Sequence, residues 1–248
     1  MKKKAMSQSS SAEPKFYGRR KGKTLRNRRL NAFEDVLPEI EIHLPSSSLS
    51  PLRGTEGDEG VSVPPTSFFP PSVKEVWMEI GFGDGKHLLH QALNNPDIGF
   101  IGCEPFINGI AALCADIKDN NVKNIRIWPD DARLLMSRIN GASIGKLFLL
   151  NSDPWPKKKH AKRRFVQQET LDEIHRLLKQ NALFRMSSDH PVLAAWQLEK
   201  AYFHGGFAWQ AECAADWLSR PADLPETRYQ QKGATQGRPT VFLDFRKV

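Results

Sequence analysis

Residues 79–85 read Glu79-Ile80-Gly81-Phe82-Gly83-Asp84-Gly85 and close the apolar run that begins at Val76. A second apolar run, 98–104, ends on another acid, Glu104. A strand entering a glycine turn and a helix, then a second strand closing on an acid, is the pattern of a nucleoside-binding unit. Glycines at alternate positions remove Cβ atoms where a ligand would lie against backbone, and a carboxylate at the next strand end can take ribose hydroxyls. The spacing is Gly81-x-Gly83-x-Gly85, not the Gly-x-Gly-x-x-Gly of nicotinamide enzymes. Asp84 within the loop would also repel a pyrophosphate seated at a helix N-terminus. S-adenosylmethionine, whose sulfonium is a cation, suits such a loop better. On the loop alone, another dinucleotide and a tight turn with no ligand remain open.

Outward from this unit, short apolar runs alternate with longer amphipathic ones. Strands are predicted at 76–82, 98–104, 124–129, 145–151, 182–187, 207–213 and 240–246. Helices are predicted near 85–94, 106–119, 131–140, 161–180 and 190–204. Such alternation implies an α/β fold: a doubly wound, mostly parallel, seven-stranded sheet with helices on both faces. The last two runs have no helix between them, and the polar stretch 216–239 permits an antiparallel closing strand. Ligands of such sheets gather beyond the carboxyl ends of the strands. Glu79, Glu104, Asp130 with Asp131, Asp153 and Asp189 all fall at strand ends and would face one crevice. Any one of them could instead be a turn former or a helix cap, Asp131 above all.

The length of 248 residues and 40% hydrophobic content allow one substantial core with an appendage. Residues 1–29 read as a basic arm without fixed structure, 30–44 as a short helix interrupted by Pro38, 45–75 as a Ser/Pro/Gly-rich linker, and 76–248 as the main domain. Cys103, Cys114 and Cys213 make an odd count with no Cys-x-x-Cys, which argues for reduced thiols and against a metal. His87 and His90 stand three residues apart with no third ligand at suitable spacing. The basic start lacks an apolar stretch behind it, and no membrane-length apolar run occurs, so a cytoplasmic protein is expected. Monomer and homodimer are equally open.

Charge is concentrated rather than spread. The arm holds eleven Lys and Arg against Glu13, a balance of +10, which leaves −2 on the rest of a chain whose total is +8. A second block, Lys157, Lys158, Lys159, Lys162, Arg163 and Arg164, contains no acid. Two cationic patches on an acidic body favour a phosphate backbone over a merely solvated face.

That second block continues the most unusual stretch, Asn151-Ser152-Asp153-Pro154-Trp155-Pro156-Lys157. Two prolines stiffen the loop after the fourth strand and hold a carboxylate and an indole over the crevice. Trp155 can stack on a base while the cations hold neighbouring phosphates. The plain alternative is a structural turn packed on the core. Trp196, Phe203, Phe207 and Trp209 read as core rather than as a base platform.

Together these residues resemble the bacterial tRNA (guanine-N7)-methyltransferases of the TrmB type. The resemblance is carried by Glu79 to Gly85, Phe100-Ile-Gly-Cys-Glu104, Asn124-Ile-Arg126, Asp131-Ala132, Asp153 to Arg164, Thr227-Arg-Tyr229 with Gly233, and the arm Tyr17 to Thr24. It covers most of 16–35 and 76–248, and the Asp-Pro-Trp-Pro block is its most specific part. It implies the Rossmann-like fold of class I S-adenosylmethionine-dependent methyltransferases and methyl transfer to N7 of a guanosine in the tRNA variable loop. It also implies that Glu79, Glu104, Asp131 and Asp153 line the donor site beside Gly81, Gly83 and Gly85, with Asp153 the catalytic candidate. Lys157, Asp189 and Thr227, Arg228, Tyr229 and Gln230 would contact the substrate. Arg19, Arg20, Lys21, Lys158, Lys159, Lys162, Arg163 and Arg164 would contact tRNA phosphates. The chain departs from the family where Asn151-Ser152 replaces Phe-Pro, where Gln230 replaces an acid, and where Ser188-Asp189-His190 replaces Thr-Asp-Trp. Two other functions fit the residues: methylation of an exocyclic amine, and RNA binding without catalysis.

Overall fold

The computed structural model describes residues 15–44, 62–225 and 239–248. Seven strands lie in one sheet: β1 (Glu75–Ile80), β2 (Ile98–Cys103), β3 (Ile125–Trp128), β4 (Ile144–Leu150), β5 (Leu178–Ser188), β6 (Phe207–Trp209) and β7 (Val241–Lys247). Their order is β3-β2-β1-β4-β5-β7-β6, and β7 runs antiparallel to both neighbours while β1 to β5 pair in parallel. The expected antiparallel last strand is therefore present, inserted between β5 and β6. Chain direction across the sheet reverses between β1 and β4, and above that switch point a crevice opens at the carboxyl ends of the strands.

The pleat explains both layers. Val76, Met78 and Ile80 of β1 pack into one cluster with α4 (Ala132–Met136), α5 (Gln168–Leu177) and Ala201 of α6 (Pro191–Phe203). Trp77, one residue out of phase, packs into the other cluster with α1 (Arg28–Ile40), α2 (Lys86–Asn94) and α3 (Ile107–Asn120). Successive strand side chains point to opposite faces, so the near-continuous apolar runs are what a sheet covered on both sides requires. Ala32, Leu37 and Ile40 of α1 bury against Ile110, Leu113 and Ile117 of α3. Pro38 sits inside α1 without ending it.

Three predicted elements differ. The helix expected over 161–180 is a 3-10 turn, Lys158–Arg163, followed by α5; Leu178 already pairs with Ile144 as the start of β5. Leu171, Ile174 and Leu177 carry the helical period up to that point, and periodicity alone does not mark where the chain joins a sheet edge. The helix over 131–140 is only the five residues of α4. The strand expected over 207–213 stops at Trp209, and a short helix, α7 (Ala214–Leu218), follows. Phe203, expected in the core, is 79% exposed at the end of α6. Among the described residues no helix is long and apolar enough to cross a membrane.

Candidate active site

The crevice at the switch point encloses about 1130 Å³ and is lined by the glycine loop, the ends of β2 and β4, the start of α4, the loop 151–165 and the arm residues 15–19. Gly81 and Gly83 have φ of 72° and 59°, a backbone region that glycine alone enters freely, and a Cβ built on either would meet nothing within 4 Å. Both therefore present bare backbone to open space. Gly85 does different work: its Cβ would strike Leu113, so it lets α3 approach and does not line the crevice.

Glu104 fixes that loop. Its Oε2 accepts from the Gly83 N–H at 2.8 Å and its Oε1 from the Phe106 N–H at 2.9 Å, with the residue 8% exposed. Burial pushes the carboxyl above its ordinary value; the two backbone N–H groups oppose that, and the negative charges of Asp153 and Glu79 add to it. The three acids thus feel one another. A carboxylate with two N–H donors keeps further lone pairs for ligand hydroxyls.

Asp131 caps α4, accepting from the Arg133 N–H at 3.0 Å, while the Arg133 side chain grips both its oxygens at 3.0 and 2.6 Å. Capping and lining coexist here, since Asp131 and Arg133 both border the crevice. Asp153 is exposed in the same cavity. The loop that carries it holds two strained residues, Asn151 and Trp155, with φ of 49° and 38°. Arg164 holds it in shape, donating from Nε to the Pro154 carbonyl at 3.2 Å and from Nη2 to the Trp155 carbonyl at 3.1 Å.

Several expected residues stand elsewhere. Glu79 is 3% exposed and hydrogen-bonds His87 Nδ1 at 2.8 Å; it shares the face of β1 with Trp77, toward α2, and does not border the cavity. His87 thereby has a buried hydrogen-bond partner, and among the described residues no group of three His, Cys, Asp or Glu side chains is placed to hold a metal. Arg164, expected at a phosphate, is 5% exposed and stacks on Trp196 at 4.8 Å. Its charge is spent on loop carbonyls, because a charge run need not point wholly outward. Arg20 pairs with Asp130 at 2.6 Å. Lys157, Lys158 and Lys159 are exposed outside the cavity, as is Lys21, whereas Arg19, Lys162 and Arg163 border it. Asp189 lies between β5 and α6, away from the lining. Thr227, Arg228, Tyr229 and Gln230 lie outside the described residues.

Sequence reasoning passed over Phe16, Arg133, Phe106 and Thr170, all in the lining. Asp131-Ala-Arg133 at a helix start was a legible cap and ion pair. Phe16 offered only an aromatic beside cations. The arm is held by the body: Ile107 N–H donates to the Arg20 carbonyl at 3.0 Å, Gly22 N–H to Asn108 Oδ1 at 2.7 Å, and Arg163 stacks on Tyr17 at 5.0 Å.

The strand order, the antiparallel β7, the open glycine loop and the acid after β2 define a class I S-adenosylmethionine-dependent methyltransferase. The donor fits what is present: bare backbone at Gly81 and Gly83, and a buried carboxylate with lone pairs to spare at Glu104. Solved structures agree on the fold: the 16S rRNA methyltransferase KamB covers 71% of this chain and 89% of its own at 18% identity, TM-score 0.52. A precorrin-6y C5,15-methyltransferase from Geobacter metallireducens GS-15 covers 70% and 80% at 13% identity, TM-score 0.51. A family model described as "Putative methyltransferase" matches residues 73–243. Proteins called tRNA (guanine-N(7)-)-methyltransferase match nearly end to end: one from Rhizobium johnstonii is 42% identical over 98% of this chain and 99% of its own. Another, from Paramagnetospirillum magneticum, is 42% identical over 100% and 99%. The chain belongs to the tRNA (guanine-N7)-methyltransferase family.

Proposed function

We propose that this protein methylates N7 of a guanosine in the variable loop of tRNA, with Asp153 as the catalytic carboxylate. The observation that carries this reading is the meeting, in one cavity, of the open glycine loop, Glu104 and Asp153 with exposed cations around it. Bound in the crevice, S-adenosylmethionine supplies a methyl group made electrophilic by its sulfonium. Gly81 and Gly83 present backbone to the donor, Glu104 accepts from its ribose hydroxyls, and Asp131 closes the adenosine end, its charge moderated by Arg133.

Guanine N7 has a free lone pair and no proton to lose, so no strong general base is required. The residues act by alignment and by electrostatics. The stiff loop Asn151 to Pro156, anchored by Arg164, holds the base in line with the donor and excludes water. As positive charge moves onto the purine, the fixed carboxylate of Asp153 opposes it. Arg19, Lys21, Lys158, Lys159, Lys162 and Arg163 contact tRNA phosphates, and Lys157 and Asp189 the nucleotides around the target. Arg20 and Arg164 act instead as internal ties. A tRNA partner fits a cytoplasmic protein acting as a monomer or a homodimer. Residues 15–44 dock on the methyltransferase domain through α3, and Phe69 and Val73, from the stretch that reads as a linker, belong to its core.

Nucleoside mass spectrometry after incubating unmodified tRNA with protein and labelled donor tests this reading. Labelled 7-methylguanosine is expected. A labelled neutral N-methyl base supports the exocyclic-amine alternative, and tRNA binding without label supports the non-catalytic one.

A further inference from the structure

The end of β4 carries polar atoms that the described residues leave unpaired. Asn151 donates its backbone N–H to the Ser187 carbonyl at 2.9 Å, yet its side-chain Oδ1 is buried with no partner among the described residues. The neighbouring Ser152 Oγ is also buried and without a partner among the described residues. Both residues border the crevice beside Asp153. Buried acceptors and hydroxyls without partners are rare because desolvation goes uncompensated, and at a functional site the compensation comes from a ligand. The left-handed backbone at Asn151 points the same way, since strain persists where a site needs a particular orientation.

We infer that Asn151 and Ser152 read the edge of the base offered to Asp153: the Ser152 hydroxyl donates to a ring carbonyl, and Asn151 Oδ1 accepts from the ring N–H beside it. Guanine presents that pair, O6 next to N1–H. Adenine presents the reverse, an amino donor next to a bare ring nitrogen: the Ser152 hydroxyl can turn to accept from the amino group, but Asn151 Oδ1 is left facing a lone pair. The two residues therefore set which purine is methylated, while Asp153 serves the reaction. This inference rests on the methyltransferase reading above.

The test compares kcat/KM on two transcripts of one tRNA, carrying either guanosine or O6-methylguanosine at the target position. The analogue keeps N7 free but loses N1–H and blocks O6. Wild-type protein should prefer guanosine by about 100-fold, the scale of a well-made two-point base contact. The double variant Asn151→Gly/Ser152→Ala removes both groups while glycine accepts the left-handed backbone. Its preference should fall below about 10-fold, with S-adenosylmethionine affinity by calorimetry unchanged. Ser152→Ala alone should lie between, and it decides the matter if the double variant does not bind donor. Wild-type preference retained in a donor-binding variant overturns the inference, as does a wild type that accepts both transcripts equally. A wild type inactive on the guanosine transcript overturns the methyltransferase reading itself, a result distinct from either.

Discussion

Glu104→Gln separates the glycine loop's geometry from its glycines. In the native loop two backbone N–H groups converge on one carboxylate, Gly83 on Oε2 at 2.8 Å and Phe106 on Oε1 at 2.9 Å. An amide has one acceptor oxygen, so either Gly83 or Phe106 would face an NH₂ donor. One charge-assisted bond is lost, about 1.5–3 kcal/mol, and a donor is orphaned. Relief from burying a charge offsets part of this, since burial already holds the carboxyl above its ordinary value. The net is about 2 kcal/mol against the binding-competent loop, or a roughly 30-fold weaker donor affinity at 1.4 kcal/mol per factor of ten. Calorimetric titration with S-adenosylmethionine reads this directly. Affinity within about threefold of wild type would show that Glu104 neither shapes the loop nor touches the donor.

Donor affinity should also depend on pH through the same group. Burial raises the Glu104 carboxyl above 4.5 in the free protein, whereas donor hydroxyls favour the charged form, so binding releases a proton. Affinity should therefore fall as pH drops through a window that begins above the ordinary glutamate range, and Glu104→Gln should flatten that profile. Asp153→Asn should leave the fold intact and, at saturating donor, lower single-turnover methylation roughly 100-fold, about 3 kcal/mol of transition-state stabilisation; unchanged turnover removes Asp153 from the chemistry. Gly109→Ala places a Cβ 2.1 Å from the Gly83 carbonyl oxygen, so the glycine loop must shift. Donor binding should drop at least about tenfold, or about 1.4 kcal/mol, within the roughly 1–3 kcal/mol cost of overpacking; donor affinity equal to wild type by calorimetry would show that the approach of Gly109 to Gly83 does not shape the site.

Features set by local chain chemistry were legible in the sequence. The glycine loop, the acid closing β2 and the Asp-Pro-Trp-Pro turn each depend on adjacent residues, and alternating runs were enough for a parallel sheet with an antiparallel closing strand. Features set by what lies opposite were harder to read. Glu79 ends a strand, and the family resemblance implies a donor ligand there, but the pleat puts it with Trp77 toward α2 and His87. Arg164 sits inside a run of cations that reads as one solvated face, yet the loop folds back so that this single guanidinium ties Pro154 and Trp155. Gly109 gave no signal at all, because its role is a close approach to Gly83 across sequence. The arm's contacts were hidden for the same reason: Arg20, Gly22 and Tyr17 find partners on α3, Asp130 and Arg163, far away in sequence. Departures from the family at Asn151 and Ser152 were visible as residues, but only burial revealed that their polar atoms await partners.

The central claim is that donor and base meet in the crevice between β1 and β4. A crystal structure with S-adenosylhomocysteine bound tests it most directly. The account predicts the ribose against Glu104, the backbone of Gly81 and Gly83 along the ligand, and the sulfur turned toward Asp153. Density for the ligand in any other cavity, or in this one with its sulfur directed away from Asp153, would contradict it.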